Sequence, residues 1–168
     1  MRALHWALVA TLGAAWWTGG STGWVHEVLG YAAGAIVAAR LVHGFTGGRY
    51  ARFAQFVHAP RATQAYLRAV IAGRAPRHLG HNPLGGWMVV ALLACAAALS
   101  LTGWLYVTDW LWGYAWLYEL HAGLAWGFVG LVALHLAGVA STGWKHRENL
   151  VAAMLTGRKR APRGDDVA

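Results

Sequence analysis

The sequence predicts an all-α fold, a transmembrane four-helix bundle with both termini on the cytoplasmic side, and three observations predict it. Of 168 residues, 58% are hydrophobic and only 12% charged, with a mean hydropathy of +0.40. A soluble domain this short cannot bury so much apolar surface. Four stretches approach the roughly 20 apolar residues that a spanning helix needs: about 3–20, 24–45, 84–107 and 116–143. The basic residues then orient them. Arg2 starts the chain, Arg40 lies inside the second stretch, six arginines fall between the second and third (Arg49, Arg52, Arg61, Arg68, Arg74, Arg77), and six basic residues follow the fourth (Lys145, Arg147, Arg158, Lys159, Arg160, Arg163). The short connections near 19–23 and 108–115 carry none, and positive charge stays on the cytoplasmic side. The net charge of +8 is therefore a topology signal, because the basic residues flank membrane segments instead of forming a nucleic-acid footprint.

The first stretch, "MRALHWALVATLGAAWW", has the basic start of a signal peptide, but His5 and Trp6 interrupt it and no soluble domain follows, so a retained helix is expected. The second carries His26 near its outer end. Gly30, Ala33 and Val37 follow on the same face, and Arg40 ends it. The connection 46–83 is expected to be an amphipathic cytoplasmic loop. In "APRATQAYLRAVIAGRAPRHLG", Tyr66, Leu67, Val70 and Ile71 lie to one side with Arg68 and Arg74 elsewhere, which suits a short helix on the membrane surface in contact with lipid. "GHNPLGG" punctuates the start of the third helix. The lone Cys95 excludes an internal disulfide, a CxxC redox pair and CxxCH haem attachment, and reads as a small packing residue. Residues 1–157 thus form one membrane domain. Residues 158–168 form a polar cytoplasmic tail expected to lack structure past Lys159. The tripeptide TGW recurs at Thr22, Thr102 and Thr142, each near a helix end where Trp anchors at the interface.

The fourth stretch contains "HAGLAWGFVGLVALH", with histidine at both ends, His121 and His135. Fourteen residues of helix separate them, about 21 Å of rise and within about 40° of the same face. Ala125, Phe128 and Val132 lie between them on that face. An ionisable side chain inside a membrane points to function. By depth the histidines form two level-matched pairs, His26 with His121 outside and His5 with His135 on the cytoplasmic side. Two facing neutral imidazoles are what a low-spin haem iron takes as axial ligands, and a non-covalent b-type haem needs no cysteine. Small residues beside each histidine leave room for a flat macrocycle. A zinc or copper site would want three or four converging ligands. Arg40 is placed to pair with haem propionates, or to snorkel to the interface. His43 lies about 100° from His26, off that face, which leaves a quinone headgroup or propionate contact open. His81 is expected to serve as a cap or loop residue, and His58 and His146 to be solvated.

In order along the chain, "RALHW", "HEVLGY", Arg40 with "GFTGGRYARF" after it, "GHNPLGGWMVV", "LHAGLAW" with "LHLAGV", and "HRENLVAAMLTGRKR" resemble the prokaryotic cytochrome b-561 type, the family that includes the cytochrome b subunits of membrane-bound nickel-iron hydrogenases. The resemblance implies a four-helix bundle in the bacterial inner membrane, holding two haem b. It would relay electrons between a periplasmic c-type cytochrome or hydrogenase/dehydrogenase subunit and the membrane quinone. It implies iron-ligand roles for His5, His26, His121 and His135, and an electron-transfer subunit of an oxidoreductase complex in place of a stand-alone enzyme. The sequence leaves the partner open between the two. Glu27, Asp109, Glu119 and "TDWLWGYAW" are the expected docking surface, or an interfacial aromatic belt. Gly123, Gly127 and Gly130 point away from the haem face and suit a homodimer or packing within the bundle. Haem-free proton or ion transport, or a plain membrane anchor, are the alternatives; against the first, the midplane holds Leu, Val, Ala, Gly and Phe, with no polar path.

Overall fold

The structure, a computed structural model, describes residues 1–20, 23–48, 51–78, 80–158, 160–161 and 166–167. Thr22, Arg49, Lys159 and Arg163 of the sequence reading lie outside them. All regular elements among the described residues are helices: α1 (Arg2–Thr18), α2 (Trp24–Thr46), α3 (Phe53–Phe56), α4 (Pro60–Ile71), α5 (Pro83–Tyr106), α6 (Ala115–His146) and α7 (Leu150–Thr156). An isolated β-bridge joins His78 and Val167. Among the described residues three helices, α2, α5 and α6, are long and apolar enough to cross a membrane. The fourth expected crossing, α1, has 17 residues, a rise of about 26 Å against a hydrocarbon core of about 30 Å.

Local chemistry fixes several of the boundaries. Asn82 accepts the Gly85 N–H at 2.7 Å, and Pro83 follows as the first helical residue of α5, the preferred N-terminal pairing. Pro60 opens α4 in the same way. α6 ends where Arg147 takes φ 51° and the Glu148 N–H bonds the Gly143 carbonyl at 2.9 Å, a left-handed turn usually given to glycine. α7, which the sequence reading did not anticipate, is capped by Asn149 on the Ala152 N–H and stopped by Gly157 at φ 77°.

The chain divides into two compact units, Met1–Val42 with Ala91–Val132, and His43–Val90 with Ala133–Ala168. In the first unit four helical segments touch in a ring. α1 meets α2 through the Ala15 carbonyl and His26. α2 meets α5 where a side chain at Gly34 would lie 3.2 Å from Ser100 Cβ. α5 meets α6 through Cys95, whose Sγ lies 3.6 Å from the Leu124 carbonyl. α6 returns to α1 through an edge-to-face Trp16–Trp126 pair at 4.9 Å. Ala33, Val37, Ala96 and Leu117 are its most buried apolar residues, while Val9, Trp17, Val28, Leu101 and Trp126 face outward, as lipid-facing side chains do.

The second unit is organised by Phe56, which is fully buried. Its ring meets Phe53 at 5.6 Å and His81 at 4.8 Å, and its carbonyl lies directly against the backbone of Gly86. His81 is therefore a packing partner of Phe56, and the α5 cap is Asn82. His58, expected to be solvated, is half-buried, with Nδ1 2.9 Å from the Phe56 carbonyl, and its own carbonyl accepts the Trp87 indole N–H at 3.1 Å. His146 is half-buried too. His43, in the last turn of α2, has its carbonyl closed by the Gly47 N–H at 2.9 Å.

The amphipathic helix expected in the loop is α4: Tyr66 is buried, Leu67 and Ile71 are exposed, and Arg61 and Arg68 are exposed on the opposite stripe. The described part of the tail is docked, against the expectation of disorder. Arg77 donates to the Arg160 carbonyl at 3.2 Å and pairs with Asp166, while the Val167 N–H bonds the Arg77 carbonyl at 2.9 Å.

Candidate functional site

His26 is the third residue of α2 and His121 the seventh of α6, so each imidazole stands near one helix end. Both are half-buried, and their rings are 6.1 Å apart centre to centre with planes at 86°. His26 Nδ1 lies 3.0 Å from the Ala15 carbonyl. A carbonyl only accepts, so Nδ1 carries the proton and Nε2 keeps its lone pair. His121 Nδ1 lies 2.9 Å from Thr102 Oγ1. That hydroxyl gives its single hydrogen to the Ala98 carbonyl at 2.8 Å, with the Leu99 carbonyl at 3.2 Å. With that hydrogen on a carbonyl, the oxygen accepts from His121 Nδ1 and Nε2 of this ring is the bare nitrogen; the Leu99 backbone bonds the ring as well.

Such a pair fits a metal held between two imidazoles. A metal–nitrogen bond of about 2.0 Å, with about 1 Å more to each ring centre, puts the centres about 6 Å apart. Fixing Nδ1 by an outer hydrogen bond is how proteins orient histidine ligands. Among the described residues no group of three or more His, Cys, Asp or Glu side chains converges, so two histidines suit an ion that brings its other ligands with it, as haem iron does. The cradle is tight: a Cβ at Gly103 would lie 3.1 Å from His121 Cε1 and 3.6 Å from its Nδ1. Glycine lets the ring lie against the α5 backbone.

The face of α2 that begins at His26 is buried at Ala33, Val37 and Arg40, the last only 7% exposed. On α6, His121, Ala125, Phe128, Val132 and His135 form a half-buried stripe, while Gly123, Gly127 and Gly130 are exposed with open space where a side chain would go. His5 is half-buried in the first unit, with Trp6 edge-on at 5.3 Å, and His135 is half-buried in the second. The structure therefore brings together His26 and His121, sets Arg40 on the buried face of α2, and leaves His5 and His135 each within its own unit.

Sequence reasoning missed Ala15, Thr102 and Gly103. The signal lies in the second TGW, near the C-terminal end of α5 and one short connection before the N-terminal end of α6 that carries His121, where the sequence shows only an anchor for Trp104. A backbone carbonyl such as that of Ala15 leaves no trace in a sequence.

Comparison with curated proteins and with solved structures returns no match. The family described as prokaryotic cytochrome b561 matches residues 1–157, nearly the whole of the helical chain, and its members are multi-pass membrane b-type cytochromes that bind haem and transfer electrons. The chain belongs to the prokaryotic cytochrome b561 family.

Proposed function

We propose that this chain is a dihaem b-type cytochrome of the bacterial inner membrane, relaying electrons between a periplasmic partner and the quinone pool. The observation that carries the reading is the His26–His121 pair, 6.1 Å apart with both Nδ1 atoms engaged by neighbouring groups. His26 and His121 hold one haem. His5 and His135 hold the second, His135 standing fourteen residues from His121 on the same helix. Haem b, when bound, supplies a one-electron iron couple.

The protein's own residues do the rest. Ala15 and Thr102 orient the outer imidazoles. Arg40, buried on the α2 face, offers a guanidinium fork to propionate carboxylates. The apolar helices supply a low-dielectric shell that sets the potentials. α1 is the fourth crossing of a four-helix bundle with both termini cytoplasmic, residues 1–157 being the haem domain and 158–168 the tail. Glu27, Asp109 and Glu119 are exposed in the first unit, as are Trp110, Trp112 and Trp116. An acidic and aromatic patch of this kind suits a transient contact with a soluble c-type cytochrome or a hydrogenase/dehydrogenase subunit. The open stripe of Gly123, Gly127 and Gly130 suits a second copy of the chain.

The test is the purified protein in proteoliposomes, reduced by a lipid-soluble quinol and then exposed to an oxidised soluble c-type cytochrome. Haem reduction followed by reoxidation is expected. Haem that is bound but exchanges no electrons with quinol overturns the quinone relay, and failure to bind haem overturns the whole reading.

A further inference from the structure

This inference rests on the haem reading of the His26–His121 pair and concerns how its two ligands differ. We propose that Thr102 is a positioning residue for His121, its hydroxyl fixing the ring orientation and setting the electron-donating strength of that imidazole, with Gly103 providing the space.

Three observations support it. Thr102 is 7% exposed, so water does not replace its hydroxyl. The hydroxyl is committed twice, donating to the Ala98 carbonyl at 2.8 Å and facing His121 Nδ1 at 2.9 Å. A hydroxyl that donates to a carbonyl is the better acceptor for it, because linked hydrogen bonds polarise one another. Gly103, the next residue, has its Cα where a Cβ would lie 3.1 Å from His121 Cε1. The dipeptide thus offers one edge of the ring a hydrogen bond and leaves, at Gly103, the space that a side chain would fill. His26 is held differently, by the Ala15 backbone carbonyl, which no side-chain substitution removes. His121 has a backbone partner too, Leu99, but it alone of the two also faces a side-chain hydroxyl, so its side is the one open to change at a single residue.

A hydrogen bond accepted from Nδ1–H shifts negative charge onto the ring and favours ferric iron. Removing the Thr102 hydroxyl raises the potential of that haem, and ligand tuning of this kind is the protein's usual lever on a haem centre.

The test uses the full-length protein in detergent, as Thr102→Val, Thr102→Ser and Gly103→Ala beside the unsubstituted chain. Haem per chain, optical redox titration and the low-temperature magnetic resonance of the ferric form are read for each. In Thr102→Val one redox component moves to higher potential while the other stays, and the ferric signal of that component changes; Thr102→Ser restores both. Gly103→Ala changes the same component with the hydroxyl intact. If Thr102→Val loses haem outright, Thr102→Ser and Gly103→Ala still decide: a normal signal in the first and a changed one in the second are expected. Potentials and signals of the variants that match those of the unsubstituted chain overturn the proposal, as does a Thr102→Ser protein that behaves like Thr102→Val. An unsubstituted chain without haem fails at an earlier step and overturns the haem reading itself.

Discussion

Arg77, before α5, grips Glu148, just after α6, through two parallel hydrogen bonds: Nη2 donates to Oε1 at 3.0 Å and Nε to Oε2 at 3.2 Å. Both side chains are under 10% exposed, and Asp166 and the Arg160 carbonyl complete the cluster. The two carboxylates hold the Arg77 guanidinium above its usual pKa, Glu148 contributing most, so the arginine stays charged at any working pH.

Removing Arg77 leaves two carboxylates without their fork. Arg77→Ala is expected to cost about 1–3 kcal/mol and to expose the C-terminal tail to protease. Arg77→Lys should recover only part, since an ammonium cannot bond both oxygens in one plane. Thermal unfolding in detergent and limited proteolysis measure this. A tail cleaved at the same rate in all three proteins contradicts it.

His78 gives the second unit a pH dependence. Burial first, then the charges of His58 and His146, hold its imidazole below the ordinary value, and Tyr66 lies edge-on at 5.2 Å. The folded state disfavours the protonated ring. Its contribution is therefore complete above the unfolded value of about 6.5 and is lost as pH falls from there through the lowered folded value. Unfolding temperature should drop as pH falls below about 6.5, and His78→Gln should flatten part of that slope. Superimposable pH profiles for the two proteins would remove His78 from the account.

Gly86 sits so close to the Phe56 carbonyl that a Cβ there would collide with backbone. Backbone yields less readily than a side chain, and overpacking costs about 1–3 kcal/mol. Gly86→Ala should destabilise the protein by that order, measured by thermal unfolding, whereas Gly138→Ala, with open space around it, should be nearly neutral. Equal stability of the two variants argues against the close approach.

Perpendicular ring planes have a spectroscopic consequence. If His26 and His121 hold the haem as proposed, rings at 86° to one another would donate equally to the two π-type d orbitals of its iron and leave them nearly degenerate. The ferric form should give a strongly anisotropic low-spin signal for the His26–His121 centre, and His26→Ala should abolish it. A rhombic signal in its place would mean parallel rings.

Helices are the part of this molecule most legible in sequence, because hydropathy and Asn-Pro or Gly punctuation act locally. α2 and α5 fall within one residue of their expected boundaries. α6 outruns its expected end by three residues, since Trp144, Lys145 and His146 continue the helix beyond the apolar stretch that marked it. Periodicity likewise reached the buried face of Ala33, Val37 and Arg40. What eluded it depends on distant partners. α7 is short and stops at a left-handed glycine, the tail is held by an arginine far away in the chain, and Thr102 gains meaning only when α5 lies beside α6. His58 looked solvated because the Trp87 indole that its carbonyl meets lies 29 residues away; the Phe56 carbonyl that its ring approaches is only two residues back.

The most direct test of the central claim is the haem count per chain, by pyridine haemochrome and reduced-minus-oxidised spectrum, in the unsubstituted protein and in His121→Ala and His135→Ala. Two b-type haems per chain, falling to one in each variant, are predicted. A count of two that survives His121→Ala would contradict the assignment of the His26–His121 pair.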